Sequence, residues 1–271
     1  MPTLPPNLGT PVGTISRLRV EKMSSRAKPR YEFWTPEYWR AYCESDNPYR
    51  QYKLERDRVL ATELLQPHDG ERILEVGCGY GRISRSLVDA AKIKLLGVDR
   101  SESMLQGWRQ TLTGKATGCR ADAGQLPFKE GSFDGVLCSG VLMHLQDQRL
   151  TLGELCRVLR PGGRLLVSGN NLLSPFAIPV MMWMLLKPHV RQVYKLPWFY
   201  RTHLSKLGVE VRRMVGDTVL AVALTVPGLG ISLLPRAVFP ALRTLDRWVD
   251  RAPLRYLAYE MWFLGVKKPC T

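Results

Sequence analysis

Residues Glu75-Val-Gly77-Cys78-Gly79-Tyr80-Gly81 follow the apolar run Arg72-Ile-Leu-Glu and precede Arg82-Ile-Ser-Arg-Ser-Leu-Val. The order predicts a strand that breaks into a glycine turn and restarts as a helix. Three glycines at alternate positions open φ values closed to other residues and remove the side chains that would hold a ligand off the main chain. A flat or extended ligand is therefore expected there, facing the free N–H groups and positive dipole end of the following helix. The dinucleotide pattern is Gly-x-Gly-x-x-Gly. Here the third glycine comes one residue early, and Glu75 stands two residues before the first. A carboxylate at the mouth of the turn repels a pyrophosphate and favours a cation. The second strand, Lys94-Leu-Leu-Gly-Val-Asp99, ends in an acid placed where such folds bind the two ribose hydroxyls. The two acids together predict a nucleoside with a positively charged tail.

Strands are expected near 72–76, 94–98, 115–119, 133–138 and 164–168, alternating with helices near 82–91, 102–110 and 148–158. That rhythm predicts a parallel sheet with right-handed crossovers. Leu207-Gly-Val-Glu-Val-Arg-Arg-Met and Tyr256 to Val266 supply a sixth and a seventh strand. A helix is predicted from Thr35-Pro-Glu-Tyr-Trp, with Thr35 as cap and Pro36 at its first position, and a second from Asn47-Pro-Tyr through Leu65.

The chain resembles the class I S-adenosylmethionine-dependent methyltransferases, of the small-molecule, methyltransferase-11 and prenyl-quinone type. Beyond the glycine turn and Asp99, the likeness rests on Arg120-Ala-Asp122-Ala123-Gly-Gln-Leu-Pro-Phe, Gly131-Ser-Phe-Asp134, Cys138-Ser139-Gly-Val-Leu-Met-His144-Leu and Leu159-Arg-Pro-Gly-Gly-Arg-Leu-Leu-Val. It covers roughly residues 50 to 170. The resemblance implies a Rossmann-like, seven-stranded, mostly parallel α/β sheet whose seventh strand is antiparallel, with an N-terminal helical cap closing over the cofactor. It implies S-adenosyl-L-methionine as cofactor, held by Glu75, Gly77, Cys78, Gly79, Gly81, Asp99, Arg100, Met104, Asp122, Ala123 and Ser139, with Asp122 on the adenine amino group. Tyr49, Tyr52 and Arg56 are candidates for the aminocarboxylate end, against core packing for the tyrosines. His144 is the candidate base if the acceptor is a phenol or enol, against a packing role. Asn170 and Asn171 either orient an acceptor oxygen or turn the chain. Three segments are expected: a basic arm over 1–30, a helical cap over 31–66, and a cofactor-binding domain over 67–271 with inserts at about 172–205 and 217–255.

The 45% hydrophobic and 23% charged composition is that of a globular protein. The net charge of +15 is unevenly placed: residues 1–30 carry +5, residues 31–171 only +1, and residues 172–271 +9. An anionic substrate, an anionic membrane surface or a nucleic acid would each suit that charge. Six cysteines without a Cys-x-x-Cys pair or clustered histidines suggest neither a zinc site nor a disulfide framework, and a reducing cytosol fits them. No apolar leader follows Met1-Pro-Thr-Leu.

Two charge-free stretches, Leu172 to Leu186 and Thr218 to Pro235, leave the carboxyl ends of strands and are expected to roof the donor site. Their prolines make both poor spanning helices. Between Arg236 and Arg251, Val238, Leu242, Leu245 and Val249 fall on one helical face and Arg243, Arg247 and Arg251 on another. This reads either as a segment lying in a membrane interface or as a lid helix with a solvated face partly neutralised by Asp246 and Asp250. The expected acceptor is an apolar small molecule such as a quinone, polyketide, terpenoid or lipid, with an anionic head group as an option. A nucleic-acid methyltransferase is the rival, but no Asn-Pro-Pro-Tyr motif follows the fourth strand. A non-catalytic membrane-surface protein on the same fold is the other.

Overall fold

The computed structural model describes residues 35–44, 47–114, 116–185, 192–217, 225–226, 231–232, 236–238, 241–242, 244–246 and 253–269. The basic arm, most of the second apolar stretch, and Arg243, Arg247 and Arg251 lie outside the described residues.

Helices α1 (Pro36–Cys43) and α2 (Pro48–Leu65) come first. Each starts as its residues dictate: Thr35 accepts the amide of Tyr38 and Asn47 that of Arg50, with a proline in the first turn. β1 (Arg72–Val76), α3 (Ser84–Ala90), β2 (Lys94–Asp99), α4 (Glu102–Leu112), β3 (Ala116–Arg120), β4 (Phe133–Cys138), α5 (Gln148–Val158) and β5 (Leu159–Asn171) follow. Then come α6 (Ala177–Leu185), β6 (Tyr194–Lys195), α7 (Pro197–Lys206), β7 (Val209–Asp217), a small hairpin of β8 (Thr225–Val226) and β9 (Ile231–Ser232), and β10 (Glu260–Lys267).

The main sheet runs β3-β2-β1-β4-β5-β10-β7, and β6 adds to the end of β5. The pairings among β1 to β6 are parallel, whereas β10 is antiparallel to both β5 and β7. The mostly parallel α/β sheet with an antiparallel last strand is thus present, and β6 and the hairpin are additions.

Side-chain alternation divides the core between the two faces. Leu74, Leu165 and Phe263 point to the layer of α5 and α7, where Leu152, Leu155, Tyr200 and Leu204 are buried. Ile73, Leu166 and Trp262 point to the layer of α2, α3 and α4, with Leu60, Leu64, Leu87, Leu105 and Trp108. β1 is apolar on both sides because both are covered, as parallel sheets require.

Three expectations need correction. Leu172, Leu173, Ile178, Met181, Met182 and Leu185 are exposed, with only Ala177, Val180 and Met184 of α6 buried, so the first apolar stretch does not roof the site. Within 241–246, Leu242 is buried as expected, but Leu245 is exposed and Asp246 is buried. The reason is a tertiary partner: Asp246 accepts the hydroxyl of buried Tyr52. Lastly, α3 begins at Ser84, two residues after the expected start.

Candidate active site

A cavity of about 410 Å³ opens at the carboxyl ends of β1, β2, β4 and β5. Its volume falls within the range of small-molecule sites. The glycine turn forms one wall. Gly77, Gly79 and Gly81 have φ of +72°, +53° and +90°. A Cβ at Gly77 would lie 2.0 Å from Val141, and one at Gly79 would enter open space. The turn's amides are not free, however. Gly77 and Cys78 donate to the Val98 carbonyl at 2.7 and 3.0 Å, Gly81 to Cys78, and Gly79 to Asp99 Oδ2 at 3.0 Å. Three of these amides thus brace the turn against β2 and the fourth closes it on Cys78, while Cys78 and Tyr80 add side chains to the cavity wall.

Glu75 is buried on the cavity wall. Burial pushes its carboxyl up to about 7, although Ser84 donates to it and Arg82 lies near. Trp108 Nε1 donates to Ser84 Oγ at 2.7 Å, so a chain from Trp108 through Ser84 fixes the carboxylate. Asp99 also lines the cavity. Its Oδ1 takes the Ser101 amide at 2.9 Å and its Oδ2 takes Gly79, so each oxygen keeps a lone pair for a hydroxyl donor. Burial raises its pKa, against those amide bonds.

The roof is helical. Trp39 and Tyr42 of α1 meet edge to face at 5.5 Å, and the Arg50 guanidinium of α2 lies 3.8 Å from the Tyr42 ring centroid. Tyr49, Lys53, Leu54 and Asp57 continue the roof. At the far end stand Ser139, Gly140, and the 3-10 turn Leu142–His144, which brings His144 to the wall. Asn170, Gln192, Tyr259 and Glu260 close it.

Of the expected site residues, Glu75, Gly77, Cys78, Gly79, Asp99, Arg100, Ala123, Ser139 and His144 line this cavity. Tyr52, Gly81, Met104 and Asp122 do not. Tyr52 is turned into the core by its bond to Asp246. Gly81 packs on Trp108 and Thr111, and Met104 is buried in α4. The Asp122 carboxylate closes its own turn on the Gly124 amide at 2.8 Å and faces Arg100 at 3.3 Å, leaving Ala121 and Ala123 on the wall. Of the other candidates for the aminocarboxylate, Tyr49 lines the cavity and Arg56 is buried beside Asp217 at 3.6 Å.

One group of wall residues escaped the sequence reading. Lys53 Nζ contacts Asp57, Asp217 at 2.7 Å and Glu260 at 2.8 Å, and Arg82 pairs with Asp57. The three carboxylates are close enough to hold a metal ion, yet the ammonium already bridges them. Burial alone would lower the Lys53 pKa, but the carboxylates hold it well above the usual value. Burial likewise opposes ionisation of Asp57, and Lys53 and Arg82 outweigh it, so its pKa is lowered. Asp217, more deeply enclosed, is pushed up to about 7 by burial. The signal was available: Asp57 lies three residues from Leu54 and from Leu60, on the buried face of α2.

Residues 74–167 match a family model described as a methyltransferase domain. Outside it, sequence likeness is partial. An O-methyltransferase from Pyrenophora dematioidea is 34% identical over 138 residues, covering 48% of this chain and 51% of the relative. A demethylmenaquinone methyltransferase from Clavibacter sepedonicus is 40% identical over 112 residues, covering 41% and 45%. The chain thus spans about half the length of the curated relatives it matches. A SAM-dependent methyltransferase from Thermotoga maritima superposes with a TM-score of 0.62 at 22% identity, over 88% of this chain and 98% of that one. Magnesium protoporphyrin IX methyltransferase from Synechocystis, solved with bound SAH, gives 0.53 at 20% identity over 82% and 86%. Both show a shared fold.

Proposed function

We propose that this chain is an S-adenosyl-L-methionine-dependent methyltransferase acting on a hydrophobic small molecule of the quinone, polyketide, terpenoid or lipid kind. The observation that carries the reading is the joint presence of Glu75 and Asp99 on the wall of one cavity, beside a glycine turn whose Gly77, Cys78 and Gly79 amides are already bonded within the protein. That pair of acceptors fits a cationic nucleoside and disfavours a phosphate. Asp99 would hold the ribose, Gly77 to Gly79 the flat face of the ligand, and Glu75 the cationic region. When bound, S-adenosylmethionine supplies an electrophilic methyl group on a sulfonium.

The chain's part is then to position and to deprotonate. Holding acceptor and donor in line contributes several kcal/mol to lowering the barrier. The aromatic roof of Trp39, Tyr42 and Tyr49 excludes water, and an acceptor hydroxyl at the far end would meet His144, the candidate base. The names of the relatives, an O-methyltransferase and a demethylmenaquinone methyltransferase, support an acceptor that is small, apolar and oxygen-bearing.

Incubating the protein with methyl-labelled cofactor and separate lipid and polar extracts tests this reading. Label is expected in an apolar product; label confined to nucleic acid or to no product contradicts it. His144→Ala is expected to lower turnover about 100-fold with donor affinity unchanged, and unchanged turnover removes the base.

Attachment to a membrane surface belongs to the same reading. Among the described residues no helix is long and apolar enough to cross a membrane. Ile178, Met182 and Leu185 on α6 are nonetheless each more than half exposed, in a segment without charge inside a C-terminal part carrying +9. An apolar patch in a basic setting suits an anionic lipid surface, from which an apolar acceptor could be drawn.

A further inference from the structure

Arg82 directly follows the glycine turn, and its side chain lines the cavity. Its Nη1 pairs with Asp57, whereas Nε and Nη2 bond to none of the described residues. Neither atom is sealed in protein, since the side chain keeps 24% of its surface and stands on the wall. Every nitrogen of a guanidinium is a donor, so no turning over of the group supplies the missing partners.

The open edge is held in place. Arg58 Nε donates to the Arg82 carbonyl at 2.7 Å, which ties this stretch to α2. Nη2 lies against the chain just past β4, where a Cβ on Gly140 would stand 3.3 Å from it. Glu75 is near enough for the Arg82 charge to act on its carboxyl. The acids of the neighbouring cluster stand behind: the side chains of Asp57, Asp217 and Glu260 are 3%, 0% and 6% exposed, against 21% for Lys53. Lys53 spends its three N–H groups on those three carboxylates, so of the two cations Arg82 alone has donors to spare.

The Nε–H and Nη2–H groups of one guanidinium edge run parallel and match the two oxygens of a carboxylate. A phosphate dianion would also reach them, but Glu75 on the same wall makes a single charge the better fit. We infer that Arg82 is a carboxylate-binding residue of this cavity, its Nε/Nη2 edge taking both oxygens side-on while Asp57 holds Nη1. The carboxylate belongs either to the amino-acid tail of the donor or to the acceptor, and the test tells these apart. This assignment deepens the methyltransferase reading and rests on it.

At pH 8 the protein is titrated with S-adenosylhomocysteine and with its decarboxylated analogue. If the donor supplies the group, the first binds at least about tenfold tighter, and Arg82→Met brings the two within about twofold by weakening the first alone. If the acceptor supplies it, the two bind alike. The S-adenosylhomocysteine complex then takes 2-naphthoate at least about tenfold tighter than 2-naphthamide, a preference that Arg82→Met abolishes. Arg82→Lys keeps a charge beside Asp57 but lacks the flat edge, so it should lower the same ratio. It decides the matter if Arg82→Met loses its cooperative unfolding transition. Failure of S-adenosylhomocysteine to bind is a failure of the methyltransferase reading, and the naphthalene pair on the free protein then judges Arg82 by itself. No preference for either carboxylate, or a preference that survives in both variants, overturns the proposal.

Discussion

Glu75 is a carboxylate enclosed by protein, and its protonation couples binding to folding. Its pKa stands near 7 because burial penalises the charged form, against an ordinary value of 4.5. Between pH 4.5 and about 7 the folded state keeps a proton that the unfolded state has lost. Stability contributed by this group therefore falls as pH rises through that window, by on the order of 3 kcal/mol. Glu75→Gln should remove that dependence: urea unfolding at pH 5 and pH 8 should show a smaller loss in the variant than in the wild type. Under the proposed function the same substitution weakens the cationic donor by about tenfold or more. Wild-type affinity should rise from pH 6 to pH 8 while the variant stays level. Equal pH dependence of both proteins contradicts the assignment of Glu75 to a cation.

At the level of elements, α2 decides how the site is roofed. Its Lys53 bridges Asp57 on its own helix, Asp217 at the end of β7 and Glu260 at the start of β10, fastening the roof to the far edge of the sheet. Removing the cation strands buried carboxylates, so Lys53→Met should destabilise the protein by about 3–5 kcal/mol in urea unfolding near pH 8. The loss should shrink toward pH 5, as Asp217, whose pKa stands near 7, takes up a proton. The ends of α1 and α2 were legible because Thr35-Pro and Asn47-Pro state their own local chemistry. The ionic cluster was not, because its members come from four distant stretches and only the fold joins them. Asp57 alone carried a local sign, in its place on the apolar stripe. Asp122 shows local chemistry of its own, in its bond to the Gly124 amide and a facing Arg100.

Across the whole molecule, the parallel sheet and the glycine turn could be read from sequence because strand spacing and backbone freedom are properties of consecutive residues. The direction an apolar segment faces is not such a property. Leu172 to Leu185 supplies apolar surface in quantity, yet of its apolar side chains only Ala177, Val180 and Met184 are buried, Phe176 and Trp183 are half-buried, and Leu172, Leu173, Ile178, Met181, Met182 and Leu185 face outward. If that face meets lipid, the triple variant Ile178→Ser, Met182→Ser, Leu185→Ser should lose most of its co-sedimentation with vesicles rich in phosphatidylserine. Its thermal transition should be unchanged, since little buried surface is touched. Equal co-sedimentation of variant and wild type removes the membrane from the account.

The most direct test is calorimetric titration of the wild-type protein with S-adenosylmethionine and S-adenosylhomocysteine at pH 8, with Asp99→Ala as the control. Binding of both to a single site, lost or weakened by about 100-fold in the variant, is the expected result. No heat of binding for either compound would contradict the reading of this cavity as a sulfonium-nucleoside site.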